Sequence, residues 1–147
     1  MEFSSIGEYS QYFSELVEME RKEEISRHMQ EIKSMSGEKR EKAGRAILRV
    51  NGRDAGRGLG GTYLVKYVRQ DGLPDNDLSV GDLVIPSSGK PSGKEPQGTI
   101  IELTNFSLTL AFNKLPPKFA YGKKLRIDLF ANDIPYQRML DALKKAK

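Results

Sequence analysis

Three features of the sequence predict an α+β chain: a small six-stranded antiparallel β-barrel flanked by a long N-terminal helix and a C-terminal helix that together form a stalk. Residues 8–34 contain no Gly or Pro, the middle of the chain breaks into short β-rich runs bounded by Gly and Pro, and the end returns to helical spacing. The expected layout is residues 1–45 for the stalk helix and a short second helix, 46–131 for the barrel, and 132–147 for the C-terminal stalk helix.

The first segment is rich in Glu, Met, Lys and Arg, all good helix formers. At about 1.5 Å per residue it makes a helix roughly 40 Å long. Tyr9, Phe13, Leu16 and Glu20 form one line, Tyr12, Leu16 and Met19 lie beside it, and Ile25, Met29 and Ile32 form another line after the charged run Glu20 to Glu24. So thin an apolar stripe suits a projecting stalk that touches one partner helix. Ser36 and Gly37 interrupt the helix, and residues 38–44 form a short second one ending at Gly44.

Six strands are expected at residues 46–50, 62–69, 82–86, 98–103, 107–112 and 125–130, where apolar residues often alternate. Thr104 and Asn105 make the tight turn between the fourth and fifth. Closure into a barrel removes exposed edges that six short strands would otherwise leave. The loop at 87–97, SSGKPSGKEPQ, reads as mobile and exposed. Beyond the last strand, Asn132 or Asp133 can cap a helix whose first turn accepts Pro135, with Tyr136, Met139, Leu140 and Leu143 on one face. That face is the expected partner of Tyr12, Leu16 and Met19.

Composition narrows the chemistry. With no Cys and a single His, disulfides, thiolate metal sites and an obvious zinc site are excluded, and no metal is expected. No apolar run approaches membrane-spanning length and the N-terminus has no basic, then apolar, leader pattern, so a cytoplasmic protein without a membrane partner is expected. The net charge of +4 is unevenly divided: residues 8–33 carry seven Glu against Arg21, Lys22, Arg27 and Lys33, whereas residues 37–69 carry nine Lys or Arg against Glu38, Glu41 and Asp54. Residues 113–126 add five more cations and no acid. Positive charge thus collects on the barrel, as a phosphate-binding surface requires and as solvated strands that resist edge-to-edge aggregation also would.

Two glycine patterns mimic nucleotide motifs without their context. Gly56, Gly58 and Gly61 satisfy G-x-G-x-x-G but lead into a strand, where no helix N-terminus can hold a pyrophosphate, so they read as a bend or bulge between the first two strands. Gly89, Gly93 and Lys94 have one residue too few for a P-loop, and Glu95 stands where its magnesium-binding hydroxyl belongs. His28 lies among charges with no nucleophile beside it and reads as a solvated helix residue. No catalytic residue and no cofactor is assigned to this chain.

The stronger signal is cations interleaved with aromatics. Arg49, Arg53, Arg57, Lys66 and Arg69 lie around Tyr63 and Tyr67, and Lys114, Lys118, Lys123 and Lys124 around Phe119 and Tyr121. Cations neutralise phosphates and aromatic faces stack unpaired bases, which makes Arg53, Arg57, Lys66, Tyr67, Lys114, Lys118, Lys123 and Lys124 candidates for weak contact with single-stranded DNA or RNA. Because alternate strand residues face opposite ways, some of these aromatics must be core.

Six segments in order, YFSELVEMERKEEI, the short helix before AILRV, GLGGTYLVKY, SVGDLV, GTIIELTNFSLTLAF and LFANDIPYQRMLDAL, resemble the region just ahead of the ATPase core in superfamily 1B helicases of the immunoglobulin-mu-binding-protein-2 and Upf type. The last segment is the most specific. The resemblance implies subdomain 1B, a β-barrel carried by stalk helices over the nucleic-acid channel and joined to the motor domains of the same polypeptide; a monomer is expected because the heptad of the first helix is broken and lacks Leu at regular d positions. The residues that would hydrolyse ATP are missing, and ATP and magnesium are expected only for the full-length helicase. A free-standing single-strand-binding barrel and a helical interaction adaptor remain the alternative readings.

Overall fold

A computed structural model describes residues 6–132; the expected C-terminal helix, with Tyr136, Met139, Leu140 and Leu143, lies outside the described residues. The elements are α1 (Ile6–Ser34), α2 (Gly37–Lys42), β1 (Ala46–Arg57), β2 (Tyr63–Val68), β3 (Leu83–Ser87), β4 (Gly98–Leu103), β5 (Ser107–Phe112) and β6 (Leu125–Ala131), with short 3-10 turns at Leu59–Gly61 and Lys118–Tyr121. The strands close into a barrel in the order β1-β2-β5-β4-β3-β6, and all neighbours are antiparallel. Inward residues such as Ile47, Val65, Tyr67, Ile100, Leu110 and Ile127 fill the interior.

β1 runs well past the expected end at Val50, as far as Arg57. Its second half, NGRDAGR, carries no apolar alternation because it is largely exposed, and it is a strand by virtue of its pairing with β2. The register shifts between Asp54 and Arg57, where Gly56 adopts φ +90° and donates its N–H to Asp54 Oδ1 at 2.8 Å. The glycine pattern is therefore a bulge, as its position between strands implies.

β3 and β6 are buried on both faces. Val84 and Leu129 point into the barrel, while Ile85 and Phe130 point outward and meet Ile32 of α1, with Ile25, Met29 and Leu83 around them. The C-terminal half of α1 is thus seated on the barrel wall and does not project as a free stalk. Its buried line is Val17, Glu24 and Ile32, with Arg21 and His28 half-buried between them. At about 100° per residue these five share one face, and Met19, 62% exposed, falls on the opposite one. Met19 thus lies away from the face seated on the barrel, and its expected partner, the C-terminal helix, is outside the described residues; Tyr12 and Leu16 are half-buried. The polar members of the true face hid it from a search for apolar residues.

Those polar members belong to a buried charge network. Arg40 of α2 and Asp128 of β6 are both 0% exposed, with Arg40 Nε 3.2 Å from Asp128 Oδ2. The Arg40 guanidinium also donates to the carbonyl oxygens of His28, Arg45 and Leu129, and to Glu31 Oε1 at 3.1 Å. Asp128 accepts a bidentate pair from Arg126 at 2.6 and 2.7 Å. One side chain consequently ties α1, α2, β6 and the residue leading into β1. Arg40 Nη2 lies 3.4 Å from His28 Nδ1; a guanidinium can only donate, so this nitrogen must carry the lone pair. Burial, then the Arg40 charge, pushes the His28 pKa below its ordinary value, against the pull of Glu24 and Glu31. His28 is therefore a neutral member of a packed network, not a solvated residue.

The loop after β3 is also anchored. Lys90 Nζ donates to the Lys33 carbonyl at 2.8 Å, capping the end of α1, and Pro91 is buried. The Glu95 carboxylate accepts from the Ser92 and Gly93 amides at 2.7 and 2.9 Å and from the Ser92 hydroxyl at 2.9 Å. The loop is exposed, as expected, but held in place. Among the described residues no helix is long and apolar enough to cross a membrane.

Candidate nucleic-acid interface

A second irregularity in β1 builds a basic concavity on the barrel. Ile47 pairs with Ile127 and Val50 with Leu125, so Leu48 and Arg49 together face Arg126 alone. Such a bulge leaves backbone groups without ladder partners. Here the Leu48 N–H donates to Glu41 Oε2 at 2.7 Å, and Arg69 Nη1 donates to both the Leu48 carbonyl at 3.3 Å and Glu41 Oε2 at 3.0 Å. Glu41 and Arg69 are thus used to hold the bulge. The residue it displaces, Arg49, is exposed with φ +57°.

Beside it, Lys124 at the entrance to β6 has φ +56°, and its N–H donates to Asn51 Oδ1 at 3.0 Å. Arg49 and Lys124 are the two non-glycine residues with positive φ among those described. Both line an open cleft of about 440 Å³ with Asn51, Arg69, Gln70, Asp71 and Lys123, and both also line its neighbour of about 230 Å³ with Lys90 and Arg126. The two clefts therefore meet at Arg49 and Lys124. Of the cations present, Arg69 is engaged by Glu41, Arg126 by Asp128 and Lys90 by the end of α1. Arg49, Lys123 and Lys124 make no side-chain hydrogen bond or ion pair to any described residue.

The remaining candidates scatter around the barrel. Arg53 and Lys66 are cross-strand partners whose neighbours in sequence, Gly52 and Val65, turn toward the core. Arg57 is used to close the β1–β2 hairpin: it donates to the Thr62 and Gly61 carbonyls at 3.3 and 3.0 Å and its guanidinium carbon stands 4.0 Å over the Tyr63 ring. Lys114 and Lys118 are exposed on the segment between β5 and β6, outside both clefts.

Tyr67 is not a stacking platform. It is 0% exposed at the centre of the core, its hydroxyl has no hydrogen-bond partner among the described residues, and burial drives its pKa far upward. Tyr63, Phe119 and Tyr121 are likewise packed against the core. Strand alternation turns Tyr63 and Tyr67 inward and the Lys118–Tyr121 turn lays Phe119 and Tyr121 against the core, so no aromatic lines either cleft and the concavity is electrostatic. Sequence reading noted Arg49 but could not single it out, since its importance comes from a backbone conformation with no residue signature. Arg40, Glu41 and Asn51 went unnoticed for the same kind of reason: each acts through partners distant in sequence. Among the described residues no group of His, Cys, Asp or Glu is placed to hold a metal ion.

No family model matches the chain. Over 137 residues, 93% of its length, it is 35% identical to an uncharacterized ATP-dependent helicase of Methanocaldococcus jannaschii, and it spans 20% of that protein. The aligned length takes in most of the helix-and-barrel unit.

Proposed function

We propose that this chain is a nucleic-acid-proximal accessory module of an ATP-dependent helicase, a 1B-type barrel with its supporting helices, and that the ATPase chemistry resides elsewhere in the protein to which it belongs. The observation that carries this reading is 35% identity over 93% of the chain to part of an ATP-dependent helicase. The barrel supplies a basic wall, and the Arg40 network fixes that wall to α1 so that the two move as one body.

A carboxylate already occupies the glycine loop that imitates a P-loop. Burial alone would raise the pKa of Glu95, but hydrogen bonds from the amides of Ser92 and Gly93 and from the Ser92 hydroxyl outweigh it and hold the group below the usual carboxylate range. An ionised Glu95 fills the donors a nucleotide phosphate would need and repels it.

Two measurements test the proposal. Reading the coding sequence downstream of Lys147 should reveal a P-loop lysine and the later helicase motifs; a stop codon there would favour a free-standing barrel. Amide NMR spectra of the chain with added ATP and magnesium should show no shifts at residues 88–97. Shifts clustered on that loop would return nucleotide binding to this module.

A further inference from the structure

We infer that the two clefts joined at Arg49 and Lys124 form the track along which this module holds the phosphodiester backbone of a single strand, with these two residues as its central phosphate contacts. The inference rests on the nucleic-acid reading above and assigns it a place. Positive charge alone would not choose among Arg53, Lys66, Lys114, Lys118 and the cleft, since all are present on the surface.

Backbone geometry supplies the choice. A non-glycine residue in the left-handed region is disfavoured by contact between its Cβ and the backbone, and such conformations persist where surrounding structure enforces them, often at functional sites. Both positions are cationic here, neither side chain makes a hydrogen bond or ion pair to a described residue, and both line the same concavity. Each conformation is enforced by a dedicated polar partner: Glu41 and Arg69 hold the bulge around Leu48, and Asn51 Oδ1 holds the Lys124 amide. A glycine would satisfy the backbone at either position without strain. The side chains placed there instead project positive charge where two grooves meet, with Asp71 on the wall of the first and Glu38 on that of the second.

Lys123 and Gln70 extend the first cleft and Lys90 the second. This gives an extended path, longer than a site for one isolated phosphate needs. The amides of Asn51 and Gln70 and the cations can meet phosphate oxygens, and no base-reading pocket accompanies them, so the occupant is a single strand held by its backbone without sequence preference.

The test uses Arg49→Asn and Lys124→Asn, because Asn is the neutral residue that enters this backbone region most readily, with Arg49→Gly and Arg49→Lys as companions. Affinity of a labelled oligothymidylate for the chain is measured by anisotropy at several salt concentrations, alongside the melting temperature. Each Asn variant should weaken low-salt binding several-fold and reduce the magnitude of the salt slope by roughly 0.7. Melting temperatures should be equal to or above that of the parent, and Arg49→Lys should keep the slope. Arg53→Ala with Lys66→Ala should change binding less than either Asn variant. A lower melting temperature with unchanged affinity in Arg49→Asn and Arg49→Gly would make the bulge purely structural and overturn the track. Equal losses from the Arg53 and Lys66 pair would replace it with diffuse surface charge while leaving nucleic-acid binding intact. Absence of binding by the parent chain at low salt would remove the functional reading itself.

Discussion

At the scale of single residues, stability is most concentrated at Arg40. Its guanidinium satisfies three backbone carbonyls and offsets Glu31 and Asp128. Arg40→Ala would leave a buried charge short of its partner, and such deletions cost about 3–5 kcal/mol; urea unfolding should show that loss, and a change under about 1 kcal/mol would mean that Arg126 alone compensates Asp128. His28 in the same network sets a pH dependence. Its native pKa is depressed, so the unfolded chain binds the proton more readily. The sign follows: the contribution is whole above about pH 6.5 and is lost as pH falls below it. His28→Asn should flatten the stability profile just under that value, and an unaltered profile would assign the slope to other groups. Tyr67 offers the opposite case, a hydroxyl buried without a hydrogen-bond partner among the described residues. A buried unsatisfied group costs about 1–3 kcal/mol, so Tyr67→Phe should leave stability equal or higher and single-strand affinity unchanged. Weaker binding in this variant would restore Tyr67 as a contact.

At the scale of elements, Gly52 marks how closely β1 is packed against the segment between β5 and β6. Its N–H donates to the Gly122 carbonyl at 2.8 Å, and a Cβ added there would collide with the Ala120 carbonyl oxygen. The obstacle is backbone, which gives way only if the Lys118–Tyr121 turn shifts. Gly52→Ala should therefore destabilise by about 1–3 kcal/mol, the range for overpacking, and thermal melting would reveal it; an unchanged midpoint would show that the Lys118–Tyr121 turn yields freely. The sequence could not announce this contact, because it depends on two backbones meeting across the fold. Local patterning did reveal β4 and β5, whose observed limits coincide with those expected, since TIIEL and SLTLAF carry apolar residues that the barrel interior selects. It failed for the second half of β1, a polar hairpin arm maintained by hydrogen bonding. It also misjudged the face of α1, where Glu24 and His28 are interior because β6 and α2 bring them partners. Glu24 Oε1 accepts the Asn132 N–H at 2.8 Å, joining positions 108 residues apart. Periodicity detects burial of apolar groups; it is blind to polar groups buried through long-range pairing.

At the scale of the whole molecule, charge is segregated: an acidic helix supports a basic barrel, and the free cations meet in a groove without exposed aromatic walls. That arrangement predicts the character of binding as well as its location. Contacts through Arg49, Lys123 and Lys124 alone neutralise about three phosphates, and the single-strand slope of log K against log salt should then be near −2. Affinity should be weak and indifferent to base identity, because no aromatic residue lines either cleft and Tyr63, Tyr67, Phe119 and Tyr121 are packed with the core. Lys123→Ala with Lys124→Ala should lower both affinity and slope on oligothymidylate and oligouridylate alike. Titrations of labelled strands at several salt concentrations check all of these. Tight, salt-insensitive binding would require apolar or stacking contacts outside the two clefts, for which Phe106, Leu59 and Leu115 are the exposed candidates. A strong preference among homopolymers would require a base pocket, and either result would make the module a reader of nucleic acid in its own right. Weak, charge-driven and sequence-blind binding is what a single wall of a channel should contribute, since such a surface can guide a strand while allowing it to slide.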